Sequence, residues 1–68
     1  MNILFASNLK SLREERGMRQ QELAEKLNTT QRKISYWENG KTQPDLEDLC
    51  RIAEFFEITV DELLGRID

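Results

Sequence analysis

Apolar residues in this chain recur every three or four positions and never alternate with polar ones long enough for a strand, so the pattern predicts helices throughout. The first helix is read from about Asn2 to Arg16: Phe5, Leu9 and Leu12 share one face, and Gly17 stands where a left-handed residue stops it. Arg13 lies one turn beyond Leu9, beside that apolar face, and so requires a carboxylate partner. A second helix covers about Gln20 to Leu27 and buries Leu23, Ala24 and Leu27. Asn28 follows where the chain must turn sharply, and Asn tolerates left-handed backbone better than any residue except Gly. Thr30 suits the N-cap of a third helix, Gln31 to about Asn39, which Gly40 ends. The fourth starts after Pro44 with Asp45 as cap, Asp48 three residues on, and Leu46, Leu49, Ile52, Ala53 and Phe56 turned inward. The fifth opens on a capping box, Thr59 with Glu62, carries the stripe Val60, Leu63, Leu64, Ile67, and frays at Gly65. Connections are short and repeats are absent, which predicts one compact all-α domain of five helices over residues 1–68.

The third helix has two chemically distinct faces. With Gln31 at zero and about 100° per residue, Ile34 falls at about 300° and Trp37 at about 240°, defining a buried side with Lys33 near its edge. Gln31, Ser35 at about 40°, Arg32 at about 100° and Tyr36 at about 140° face outward. An amide, a hydroxyl, a guanidinium and a phenol are the groups that hydrogen-bond base edges in a major groove, and no acid interrupts them. Glu38, at about 340°, lies on the core boundary, where an unpaired carboxylate is costly and Arg13 can meet it as a structural ion pair.

Composition narrows the chemistry. The chain has 68 residues, 38% hydrophobic and 34% charged, enough for one small soluble domain of roughly 3 to 10 kcal/mol stability. Histidine is absent and Cys50 is the one cysteine, which removes the imidazole base, the thiolate–imidazole pair and the Cys/His zinc site. No enzyme, cofactor, metal or small-molecule ligand is therefore expected, and Cys50 reads as a small buried hydrophobe. The apolar run Ile3 to Ala6 is too short for an export signal or membrane span, so a reducing cytoplasm is the expected compartment. The net charge of −3 hides a polarity. Up to Gln43, eight Lys and Arg outweigh five Glu, a balance of +3; from Pro44 onward two Arg face eight acids, a balance of −6. One pole is thus suited to a phosphate backbone while the other is repelled by it.

The run Gln20-Gln21-Glu22-Leu23-Ala24-Glu25-Lys26-Leu27-Asn28-Thr29-Thr30-Gln31-Arg32-Lys33-Ile34-Ser35-Tyr36-Trp37-Glu38-Asn39-Gly40-Lys41-Thr42-Gln43-Pro44 resembles the helix-turn-helix of phage repressor and Cro proteins, the XRE-like family. The likeness extends from about Leu9 through Leu49 to Phe56 and on to Asp61-Glu62-Leu63-Leu64. It implies a repressor-like DNA-binding domain whose second and third helices form the motif, with Ala24 as the small residue that lets them approach. It assigns Gln31, Arg32, Ser35 and Tyr36 to bases, and Gln20, Thr30, Asn39, Lys41 and Thr42 to phosphates, and Arg19, a cation at the start of the second helix, is expected to touch phosphate as well. It matches Arg13 and Glu38 to a buried ion pair. The sequence departs from the family's pattern at Arg19, where a Ser or Thr cap is usual, at Asn28 for the turn Gly, and at Thr29 for an aliphatic residue.

These readings converge on a sequence-specific, double-stranded-DNA-binding transcriptional regulator, a homodimeric repressor or autoregulator without a ligand-sensing domain. Dimerisation is expected through the carboxyl end, with Leu64, Ile67 and Ile58 free for a partner once Leu63 enters the core. The competing expectation is a helix-turn-helix protein-interaction module or antitoxin that acts mainly through a protein partner.

Overall fold

The computed structural model describes residues 3–66. Among them are five helices, α1 (Phe5–Glu15), α2 (Gln20–Lys26), α3 (Gln31–Glu38), α4 (Leu46–Phe56) and α5 (Val60–Leu64), and no strand. Substantial packing runs from α2 to α3, α3 to α1, α1 to α5 and α5 to α4. Each helix supplies one fully buried side chain, respectively Leu9 for α1, Leu23, Ile34, Ile52 and Leu63, and these form the centre of the core. Phe5, Ala24, Leu27, Trp37, Ala53 and Phe56 surround it, with Phe5 and Trp37 edge to face at 6.5 Å. Truncating any of the central five to Ala should cost about 2–5 kcal/mol, a large share of a small domain's stability.

All five helices end in the same hydrogen-bonded closure. A residue of positive φ (Gly17, Asn28, Gly40, Glu57 or Gly65) donates its N–H to the carbonyl three residues back. The next N–H then reaches five residues back: Met18 to Arg13, Thr29 to Ala24, Lys41 to Tyr36, Ile58 to Ala53 and Arg66 to Asp61, at 2.9–3.1 Å. This Schellman arrangement satisfies carbonyls that a helix end otherwise leaves unpaired. The left-handed turns expected at Gly17, Asn28 and Gly40 are present; Gly65, where fraying was expected, forms the same closure and ends α5 at Leu64, and Glu57, with φ 57°, is an additional one. Helix starts follow the capping residues: Thr30 Oγ1 accepts from Lys33 N–H, Asp45 Oδ1 from Asp48 N–H, and Thr59 shares a full capping box with Glu62.

The sequence reading requires three further corrections. The first helix begins at Phe5 rather than near Asn2, which lies outside the described residues. Leu4, the residue before α1, donates its N–H to Leu64 O at 2.9 Å and so ties the chain to the end of α5. Leu46 does not point inward: it is 81% exposed at the first residue of α4, and Leu49 is the apolar residue of that turn that packs against the core. Cys50 is exposed rather than buried. Ile52, Ala53 and Phe56 set the inward direction of α4, and Cys50 lies about 110° away from it.

Candidate nucleic-acid interface

The α2–α3 unit positions the outward face of α3. Ala24, 2% exposed, adds only a methyl group to the core from α2, and the Asn28 closure turns the chain from α2 into α3 within four residues. Ile34 and Trp37 anchor α3 to the core at 0% and 3% exposure. Gln31, Arg32 and Lys33 are exposed, Ser35 is half-buried, and Tyr36 is exposed on the same outward side. The wheel therefore placed both faces of this helix correctly.

Side-chain hydrogen bonds orient several of these groups. Asn39 Nδ2 donates to Ser35 Oγ at 3.3 Å, so the Ser35 hydroxyl keeps its own proton to donate outward. Thr30 Oγ1 is occupied as acceptor by the Lys33 N–H and likewise retains a proton to give. Tyr36 is approached by two cations: the Arg32 guanidinium carbon is 5.9 Å from the ring centroid and Lys41 Nζ is 5.4 Å from it. The helix end explains the second contact. At Gly40, φ 72° and the Lys41 N–H bond to Tyr36 O fold the chain back over the last turn of α3.

Beneath this surface lies a charged network. Arg13 donates from Nε to Glu38 Oε2 at 2.7 Å and from Nη2 to Glu38 Oε1 at 2.9 Å, while Nη1 donates to Met18 O at 2.8 Å. The two side chains are 10% and 2% exposed, so the bidentate pair is largely screened from water. The hydrogen bonds Arg13 donates to Glu38 raise the guanidinium above its ordinary pKa; burial works in the opposite direction, and the nearby charges of Glu38 and Glu14 add to the rise. Gln20 Nε2 also donates to Glu38 Oε1, at 3.1 Å. Its amide nitrogen therefore has one proton committed to the network and one left for an outside acceptor. The pair thus ties the end of α3 to α1 and to the first residue of α2. The Arg13–Glu38 contact was legible from the wheel, whereas the Gln20 branch was not, because no periodicity tells where a helix-start amide turns.

Arg19, Asn39, Lys41 and Thr42 are all exposed around this face. Arg19 caps α2 with extended backbone but offers no acceptor, so only the reverse half of a capping box forms: Glu22 Oε1 accepts the Arg19 N–H at 3.0 Å. The expected dimer residues are less closely grouped. Leu64 lines a groove with Phe5, Trp37 and Pro44, Ile58 lines another with Leu12 and Glu62, and Ile67 lies outside the described residues. No helix among the described residues is long and apolar enough to cross a membrane.

A profile described as helix-turn-helix matches residues 9–63, which includes α2, the Asn28 turn and α3. The chain belongs to the helix-turn-helix family. Among family relatives, it is 43% identical over 61 residues to the HTH-type transcriptional activator BcrR of Enterococcus faecalis, covering 90% of this chain and 30% of BcrR. It is 34% identical over 62 residues to the HTH-type transcriptional regulator ImmR of Bacillus subtilis, covering 91% of this chain and 49% of ImmR. The chain thus spans less than two thirds of either relative's length. In structure it is similar to a transcriptional regulator from Listeria innocua, with TM-score 0.92 and 38% identity, covering 100% of this chain and 64% of that one. It is also similar to the P22 c2 repressor protein in complex with a synthetic operator, with TM-score 0.84 and 26% identity, covering 90% of this chain and 92% of that one. The repressor-like helix-turn-helix fold expected from the sequence is therefore present.

Proposed function

We propose that this chain is a sequence-specific DNA-binding transcriptional regulator, a homodimeric repressor or autoregulator that lays α3 in the major groove. The observation that carries the reading is the acid-free outward face of α3, held rigidly by Ile34, Trp37 and the Arg13–Glu38 pair, in a fold similar to an operator-bound repressor. Gln31, Arg32 and Ser35 read base edges with Tyr36 beside them; by groove chemistry Arg32 suits guanine and Gln31 suits adenine. Arg19, Gln20, Thr30, Asn39, Lys41 and Thr42 hold phosphates and set register without reading sequence. Leu64, Ile58 and Ile67 serve a two-fold interface that spaces two recognition helices by about 34 Å, one turn of duplex. The site is that of a binding protein rather than an enzyme, at work in the cytoplasm.

Selection of a preferred duplex from random DNA, followed by titration of Arg32→Ala, tests the reading. The variant should lose about 1–3 kcal/mol and relax preference at one base pair. Equal weakening on every sequence would move Arg32 to a phosphate. If no duplex is enriched at all, the protein-docking alternative takes its place.

A further inference from the structure

We propose that Tyr36 is a positioning residue, a shared aromatic platform that holds Arg32 in its base-reading pose and Lys41 against the DNA strand. The inference rests on the reading of α3 as the helix that enters the groove. Arg32 and Tyr36 are one turn apart on the outward face, with the guanidinium carbon 5.9 Å from the ring centroid. Lys41 comes from outside the helix, returned by the Gly40 closure, and its ammonium nitrogen is 5.4 Å from the same centroid. Both cations are exposed and neither belongs to an ion pair among the described residues, so the ring is the partner each has within reach. Long cationic side chains in water sample many rotamers, and a ring face within about 6 Å narrows that choice. Such narrowing before DNA arrives reduces the ordering required on binding. Because one ring contacts both cations, it also couples a base-reading group to a strand-holding group across the end of the helix.

Tyr36 itself is 36% exposed and its hydroxyl has no partner among the described residues, so direct reading of a base by that hydroxyl is the competing role. Two substitutions separate the two. Tyr36→Phe keeps the ring and removes the hydroxyl; Tyr36→Leu removes the ring and keeps an apolar, helix-compatible side chain. Titrated against the selected duplex and its variant at the Arg32 base pair, Tyr36→Phe should retain wild-type preference. Tyr36→Leu should lower that preference about three- to fivefold, and should lower it no further when Arg32 is already Ala. Its salt dependence should also be shallower, because Lys41 is less well placed. Loss in Tyr36→Phe equal to that in Tyr36→Leu would overturn the proposal in favour of the hydroxyl. An undiminished Tyr36→Leu effect in the Arg32→Ala background would also overturn it, since the ring would then act without Arg32. One measurement is independent of DNA. In the free protein, side-chain protons of Arg32 and Lys41 should show ring-current shifts that disappear in Tyr36→Leu, and their absence in wild type would refute the platform directly. Failure of wild type to select any duplex, with those ring-current shifts present, would refute groove reading and leave the platform geometry standing.

Discussion

Arg13 and Glu38 illustrate how a residue can hold an interface it never touches. Each removes the other's desolvation penalty, so deleting one partner leaves an isolated charge in a nearly dry site. Glu38→Ala should therefore destabilise by about 3–5 kcal/mol, enough to leave a domain of this size partly unfolded, as read by the midpoint of urea unfolding. Replacing both, Arg13→Met with Glu38→Leu, should recover most of that loss; no recovery would mean that the bonds to Met18 and Gln20 matter more than the charges. For Arg13 the pH consequence follows from its raised pKa: its contribution is complete below the ordinary guanidinium value and is lost only as pH rises through the raised one. Its share of stability should consequently be flat across the neutral range. Arg19 represents the opposite balance. A cation at the positive end of α2, with no acceptor to offer, destabilises that helix start. Arg19→Ser should raise stability by about 1 kcal/mol while weakening DNA binding and reducing the salt slope by about one. Weakened binding with an unchanged slope would exclude a phosphate contact by Arg19.

Helix boundaries in this chain are set mostly by how each helix ends. The closures at Gly17, Asn28 and Gly40 were legible because Gly and Asn advertise left-handed backbone, Gly65 was read only as a fraying end, and Glu57 escaped notice because a glutamate in that conformation carries no compositional mark. Its signal was indirect: the fourth helix must end between Phe56 and the Thr59 cap, and too few residues remain for any gentler turn. Holding a residue with a Cβ at φ 57° has a cost, so Glu57→Gly should stabilise by about 0.5–1 kcal/mol, the relief of left-handed strain less the entropy Gly adds to the unfolded chain. A lower thermal midpoint would show that the glutamate side chain makes a compensating contact. Gly65 gives the converse case. A Cβ there would lie 3.0 Å from Leu4 Cβ and 3.1 Å from Asn8 Nδ2, where α5 meets α1. Those two residues also donate to Leu64 O and Leu63 O, so Gly65→Ala disturbs both hydrogen bonds as well as adopting a strained φ of 74°. A loss of about 1–3 kcal/mol is expected from the unfolding midpoint. This seam was not visible in the sequence, since a long-range bond from a backbone N–H leaves no trace in periodicity. The exposed Leu46 was missed for a related reason: a helical wheel reports direction but not how far along the axis the core extends.

The division of charge is a property of the whole chain and follows the order of its helices. Basic residues outnumber acids up to Lys41, and acids dominate α4 and α5, of which α5 packs on both α4 and α1. The molecule measures 32 × 24 × 21 Å, against a screening length of about 30 Å at 0.01 M salt and about 10 Å at 0.1 M. With a duplex held by α3 as proposed, the acidic helices at low salt lie within electrostatic range of it and should disfavour orientations that bring them nearer. At 0.1 M they should be screened, leaving only charges within about 10 Å of the duplex to act. Neutralising Glu54 and Glu57 together, as Glu54→Gln with Glu57→Gln, tests this without touching α3. Affinity for random duplex should rise several-fold at 0.01 M while affinity for the selected site changes less, so the ratio between them falls. By 0.1 M the variant and wild type should coincide. A difference that persisted at 0.1 M would place those carboxylates next to the DNA, which is incompatible with α3 as the reading helix. No difference at either salt would show that the acidic pole serves some purpose other than orientation.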